Sequence, residues 1–88
     1  MPLMQRMATI TTTDQQLIAL AGGRSSFEVP AGPLRRALQA LDAAHPGVLG
    51  HVEAAMAVAI DGVIHHDAWL EPIGPDSEVV LIPRISGG

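Results

Sequence analysis

The residues of greatest chemical interest in this sequence are two glycines at its C-terminal end, Gly87 and Gly88. A carboxylate is a poor electrophile, and it reacts with a nucleophile only after conversion to an activated acyl group such as an acyl-adenylate. Because glycine has no Cβ, the backbone at these positions can come close to the catalytic groups of another protein. Such activation would require ATP and the active site of a partner, where a nucleophile would then displace AMP, and a glycine pair suits a terminus that must enter that site.

The segment before the glycines is suited to carry them away from a folded domain. Pro83 fixes φ where a strand is expected to end, which stiffens the base of the segment. At about 3.3 Å per extended residue, residues 84–88 reach roughly 17 Å. We therefore divide the chain into a flexible N-terminal leader over residues 1–6, a domain over residues 7–83 and an extended diglycine tail over residues 84–88.

Other arrangements that could support catalysis or metal binding are not expected. The chain has no cysteine, which excludes disulfides, thiolate metal sites and a cysteine nucleophile. His65 and His66 are adjacent on an expected strand and so point to opposite faces, which does not suit a shared metal ion. No phosphate-binding glycine loop, pair of carboxylates at catalytic spacing or Ser/His/Asp arrangement stands out. We therefore expect no catalytic pocket, no metal site and no bound cofactor.

Four further side chains have structural interpretations. His45 is expected at a helix end and His51 in a solvent-facing loop. Trp69 is expected to pack over the sheet edge rather than to act as a binding hot spot. For Arg84 two alternatives stay open, a contact with a partner and a solvated charge.

Charge and hydropathy exclude several classes of partner. The formal net charge is −4, with five Arg and no Lys, so the basic surface of a nucleic-acid-binding protein is missing. No apolar run approaches the roughly 20 residues of a membrane span, and residues 1–7 lack the apolar core of a signal peptide. We expect a cytoplasmic domain whose acidic surface suits a basic partner protein or simply solubility.

The pattern along the chain predicts five strands and one main helix. Leu34, Leu38 and Leu41 recur at the spacing of one helical face, together with Ala37. Asp61-Gly62 is typical of a two-residue β-hairpin. The expected strands are residues 7–13, 25–29, 56–60, 63–66 and 78–82, the main helix is residues 33–44, residues 17–23 form a short helical turn, and residues 73–77 form a turn.

The last strand is expected at the centre of the sheet. Residues 79–82 are all apolar, as in strands that are buried on both faces. Placed beside the first strand, with the main helix across one face, this strand gives an α+β fold of the β-grasp type. The face without a helix is expected to meet a partner or to remain a modest apolar patch. Val80 and Ile82 are the candidate contacts, although the sequence does not fix whether they or Val79 and Leu81 point outward.

The C-terminal segment resembles a known family. Residues 76–88 read Asp-Ser-Glu-Val-Val-Leu-Ile-Pro-Arg-Ile-Ser-Gly-Gly, which is similar to the closing segment of the MoaD/ThiS sulfur carriers and most similar to that of the molybdopterin synthase small subunit. Residues 41–48 and 58–62 are also similar, and the resemblance spans residues 7–88. Residues 14–24 match loosely and lack the aromatic-rich stretch that often follows the first strand.

This resemblance implies a ubiquitin-like protein that carries sulfur as a thiocarboxylate on Gly88. An E1-like enzyme would use ATP to adenylate Gly88, with Gly87 giving close access. The sulfur would then pass to a cyclic pterin precursor bound in the large catalytic subunit of molybdopterin synthase. The partner-binding residues expected on this basis are Val80, Ile82, Pro83, Arg84, Ile85 and Ser86.

Three alternatives to this pathway stay open. The sulfur could serve thiamine, cysteine or another thio-metabolite. The protein could instead be a modifier that is joined through Gly88 to lysines of target proteins. It could also be an interaction module whose tail is incidental.

Overall fold

A computed structural model describes residues 6–84 of the 88-residue chain. Over this part of the chain the fold is α+β, and no helix within it has the length and apolar character needed to cross a bilayer. The strands are β1 (Met7–Thr12), β2 (Ser26–Pro30), β3 (Gly32–Pro33), β4 (Met56–Ile60), β5 (Val63–His65), β6 (Pro72–Ile73) and β7 (Glu78–Pro83), and the helices are α1 (Gln15–Leu20), α2 (Leu34–Ala44) and α3 (Val48–Ala55).

Five of these strands form one mixed sheet in the order β2-β1-β7-β4-β5. β1 and β7 are parallel, and the other neighbouring pairs are antiparallel. The last strand therefore lies at the centre of the sheet beside the first, which confirms the predicted β-grasp arrangement. β3 and β6 form a separate two-stranded sheet. The sequence did not predict this pair, because each strand has only two residues and contains a proline.

The hydrophobic core lies between the helices and one face of the five-stranded sheet. Val79 and Leu81 of β7 point into it and are 1% and 0% exposed. The predicted apolar stripe of α2 is buried against this layer, with Leu38 fully enclosed. Because burying one such side chain contributes about 1.5–3 kcal/mol, this layer is the main stabilising element of the domain.

A polar network links the end of β1 to α1 and α3. The buried Thr12 Oγ1 donates to the Leu81 carbonyl at 2.9 Å and accepts from the Asp14 N–H at 3.1 Å. Asp14 caps α1, since its Oδ2 accepts from the Leu17 N–H at 3.0 Å. The same oxygen lies 2.7 Å from Nε2 of His51 on α3. The network therefore holds α1 and α3 against the two central strands.

α3 was not predicted from the sequence. The prediction that His51 lies in a solvent-facing loop is wrong, because His51 lies within α3 and contacts Asp14. Residues 48–55 contain Gly50 and follow a Pro-Gly stop signal, so the helical pattern is weak. Gly47 provides the tight connection between α2 and α3 with a φ of 103°, a conformation that favours glycine.

The start of α2 is held by the segment before β6. The first N–H groups of a helix have no partner within that helix. Here the N–H groups of Leu34 and Arg35 donate to the backbone carbonyls of Glu71 and Trp69 at 2.9 and 2.8 Å. Pro33 therefore serves as the N-cap of α2 and not as its first residue. Trp69, which was predicted to pack over the sheet edge, is half-buried and packs against the hydrophobic core.

The hairpin between β4 and β5 has the predicted two-residue turn. Asp61 and Gly62 adopt φ values of 51° and 83°. Positive φ at both positions matches the right-handed twist of the flanking strands. The turn therefore fixes β5 as the edge strand next to β4.

The cap of α1 gives a stability prediction. Asp14→Ala removes the acceptor for the Leu17 N–H and the partner of His51, so we expect the free energy of unfolding to fall by about 1–2 kcal/mol. Asp14→Asn keeps a capping acceptor and should lose less. Urea denaturation of the two variants and the unchanged protein measures the difference. An Asp14→Ala protein as stable as the unchanged chain would contradict the capping role.

Candidate functional site

The register of β7 decides which of its apolar side chains can meet a partner. Val79 and Leu81 are buried beneath the helices. Because side chains alternate along a strand, Val80 and Ile82 point to the opposite face, which no helix of residues 6–84 covers. Of the two pairs that the sequence left open, Val80 and Ile82 are the outward pair.

Val80 and Ile82 belong to a continuous apolar surface on this face. The register pairs Val80 with Ala59 and Ile82 with Ala57, and it pairs Ala59 also with Ile64. We call these five residues the open-face patch. Ile64 at its border is 55% exposed and Val80, Ala59 and Ile82 are half-buried, whereas Ala57 is buried beneath its neighbours. An apolar patch of this kind, with polar surroundings, is a candidate surface for docking a partner.

Carboxylates lie on the same face where β7 begins. Glu28 and Glu78 are in register on either side of Thr9, across β2, β1 and β7. Asp61 is close by, and its Oδ1 accepts from the Glu78 N–H at 2.8 Å. The open face is therefore apolar toward the end of β7 and acidic toward its start. This distribution suits a partner with an apolar centre and basic side chains on one side of it.

The chain leaves the sheet at Arg84, which α3 holds in place. The Arg84 N–H donates to the Ala55 carbonyl at 2.8 Å, and its Nη2 donates to the Glu53 carbonyl at 2.7 Å. Carbonyls in the last turn of a helix lack partners within the helix and carry partial negative charge, which favours a guanidinium there. Arg84 thus fixes the start of the tail. This contact is neither of the two alternatives predicted for Arg84, a contact with a partner and a solvated charge, because α3 was not predicted from the sequence.

The predicted site residues fall into two groups. Those that the structure describes lie on β7 or directly after it, so the pairing of β7 with β4 positions them together. They are Val80, Ile82, Pro83 and Arg84. Ile85, Ser86, Gly87 and Gly88 lie outside the described residues, as do residues 1–5 of the predicted leader.

Titratable side chains of the described segment do not gather into a metal-binding cluster. Among residues 6–84, no group of three or more His, Cys, Asp or Glu side chains is placed to hold a metal ion. The close pair of His51 and Asp14 belongs to the capping network of α1. The open-face patch and the exit of the chain at Arg84 are therefore the features we consider for function.

Comparison with solved structures supports the fold. The solution structure of the small archaeal modifier protein 1 (SAMP1) from Methanosarcina acetivorans matches with a TM-score of 0.67 and 18% sequence identity, covering 93% of this chain and 98% of that chain. No protein-family model matches the sequence, and no curated protein matches it. The chain therefore has the ubiquitin-like β-grasp fold, and an identity this low speaks to the fold alone.

Introducing a carboxylate should destabilise the domain on one face of β7 much more than on the other. Leu81→Asp places a carboxylate in the closed core without a partner, so we expect the domain to lose its cooperative fold. Ile82→Asp leaves the carboxylate in contact with solvent on the open face, and we expect a loss of only about 1 kcal/mol. Thermal unfolding followed by circular dichroism compares the two variants. Equal destabilisation would contradict the assignment of the open face.

Proposed function

We propose that this protein is a ubiquitin-like sulfur carrier. Its Gly88 carboxylate attacks ATP in the active site of an E1-like enzyme, which forms an acyl-adenylate and releases pyrophosphate. A sulfur nucleophile at the oxidation level of hydrosulfide then displaces AMP and leaves a thiocarboxylate on Gly88. We assign the accepting enzyme to the molybdopterin synthase type, in which a large subunit binds a cyclic pterin precursor.

One observation supports this proposal most strongly: a single strand, β7, contributes both to the open-face patch and to the exit of the chain. Val80 and Ile82 lie on the patch, and the tail begins at Arg84, two residues after Ile82. An extended tail of this length reaches roughly 17 Å. A partner that docks on the patch would therefore hold the start of the tail at a fixed distance from its own active site.

The composition of the tail supports the same chemistry. Both of its last two residues, Gly87 and Gly88, lack a Cβ. A narrow channel can therefore enclose their backbone closely on all sides. ATP and the sulfur donor would both be bound by the partner, so this chain needs no catalytic side chain of its own.

A second candidate function is protein modification through Gly88. The observation that favours it is that a solved structure with a similar fold, SAMP1, is described as a modifier protein. Both functions begin with an acyl-adenylate and differ in the nucleophile, which is sulfur in one case and a target lysine amine in the other. Carriers for thiamine, cysteine or another thio-metabolite would share the thiocarboxylate and differ only in the acceptor. The identity of the product therefore separates modification from sulfur transfer.

The thiocarboxylate gives a direct prediction. Incubation of the protein with ATP, an E1-like enzyme and a sulfide source should raise its intact mass by the difference between one sulfur and one oxygen atom. Mass spectrometry of the C-terminal peptide should place the change on Gly88. Isolation of the protein from its native host should give the same mass or that of the free carboxylate.

Glycine variants provide the matched control. Gly87→Ala and Gly88→Ala add a Cβ where close approach is expected, so loading should fall sharply while the thermal unfolding temperature stays unchanged. No mass change with several activating enzymes that do load another carrier would overturn the proposal. A mass change on target lysines without any thiocarboxylate would instead favour the modifier.

Docking through the open-face patch gives a second prediction. Ile82→Asp should weaken the complex with the large subunit or the activating enzyme by more than tenfold, which is about 1.4 kcal/mol. The matched control is Ser26→Asp, which adds the same charge to the same face on the edge strand, outside the patch and without a carboxylate directly opposite. Calorimetric titration compares the two folded variants. If Ile82→Asp and Val80→Asp both bind as tightly as the unchanged protein, the docking surface lies elsewhere.

A further inference from the structure

A small cavity opens beside the point where the chain leaves the sheet, and we call it the exit cavity. Its volume is about 110 Å³, and it lies between α2, α3, β4 and the segment that joins β5 to β6. Its walls are buried side chains of the hydrophobic core, namely Leu34, Val52, Met56, Val58 and Ala68. Apolar walls offer a water molecule few hydrogen-bond partners. The interior of the exit cavity therefore favours an aliphatic group over water.

The size of the exit cavity limits that group to a short aliphatic chain. An apolar cavity of about 150 Å³ in another protein accommodates one benzene molecule. The exit cavity is smaller, at about 110 Å³. It therefore suits an aliphatic group such as isopropyl, and an aromatic ring is too large for it.

Charged and polar side chains form the rim of the exit cavity. Arg84 and Glu53 line it together with His65, His66 and Trp69. Glu53, His66 and Arg84 are exposed, so a ligand at the opening can reach their polar groups. The rim thus places a guanidinium and a carboxylate around an apolar interior.

The two opposite charges of the rim are not paired with each other. Arg84 Nη2 donates to the backbone carbonyl of Glu53 at 2.7 Å and not to its carboxylate. Within residues 6–84 neither of these side chains forms a salt bridge. A guanidinium has several further N–H donors. A ligand at the rim would therefore find a donor for a carboxylate and an acceptor for an ammonium group.

We propose that the exit cavity binds a small aliphatic α-amino acid of the size of valine. The side chain of the ligand would occupy the apolar interior. Its carboxylate would accept hydrogen bonds from the Arg84 guanidinium, and its ammonium group would donate to the Glu53 carboxylate. Small-ligand sites commonly combine an apolar interior with a few polar groups at fixed positions. The proposal does not depend on sulfur transfer, because the cavity belongs to the folded domain and binding needs no partner.

Ligands with a single charge fit this rim less well than a zwitterion. A simple carboxylic acid would bring its anion close to the Glu53 carboxylate, and a simple amine would bring its cation close to the Arg84 guanidinium. In both cases one contact is repulsive and one rim group stays without a partner. The charge pattern of the rim therefore selects a ligand that carries both groups.

The single tryptophan of the chain provides the readout, because Trp69 lines the exit cavity. L-Valine is titrated against the whole protein to millimolar concentrations, and both Trp69 fluorescence and NMR amide resonances are followed. We expect a saturable fluorescence change, together with amide shifts at Val52, Met56 and Ala68. Glycine lacks the side chain, isovalerate lacks the ammonium group and isobutylamine lacks the carboxylate. Each of these, and the larger L-phenylalanine, should bind at least roughly tenfold more weakly than valine.

Variants with one rim charge removed give a second test. Arg84→Met and Glu53→Gln should each weaken valine binding by roughly tenfold. Arg36→Met and Glu28→Gln make the same changes at residues that do not line the exit cavity, so binding should be unchanged. Circular dichroism shows whether each variant is folded, and all four positions are exposed.

Three results would overturn the proposal: no saturable change with valine, equal binding of glycine and valine, or amide shifts that map away from α3 and β4. Isovalerate that binds as tightly as valine would contradict the role of Glu53 and assign the cavity to a simple organic acid instead. Equal effects of Arg84→Met and Arg36→Met would show that the rim does not recognise the ligand.

Discussion

The parallel pairing of β1 with β7 is the constraint on which the rest of this structure depends. It places the last strand at the centre of the sheet, where both of its faces carry apolar side chains. The residues between these two strands must then form the remaining strands and the three helices. The helices all lie on the side of Val79 and Leu81, and the Thr12 hydroxyl ties the carbonyl of Leu81 to the start of α1. The opposite side of β7 is left with the open-face patch as a direct consequence.

Much of this arrangement could be predicted from the sequence, because its strongest signals are local. The aliphatic run of residues 79–82 predicts a central strand, Asp61-Gly62 predicts the hairpin, and the stripe around Leu38 predicts α2. The signals that were missed are weak or depend on tertiary contacts. α3 contains a glycine and is stabilised by packing and by its contact with Asp14, and β3 and β6 are too short to show any periodicity.

The candidate site likewise combines residues that local sequence signals predict with contacts that only the tertiary structure shows. The register with β1 determines which residues of β7 point outward. The sequence of β7 does not show this, because residues 79–82 are all apolar and so lack an alternating pattern. The contact of Arg84 with the Glu53 carbonyl could be recognised only once α3 was known. The two terminal glycines, by contrast, stand out from their chemistry in the sequence alone.

The position of the open-face patch relative to Arg84 has a physical consequence for assembly. The patch spans β7, β4 and β5, and the chain leaves the same sheet at Arg84, where hydrogen bonds to the carbonyls of Ala55 and Glu53 fix its direction. A partner docked on the patch would therefore meet the start of the tail at a defined position. Because the two contacts belong to one sheet, the second would form at the high effective concentration that the first creates.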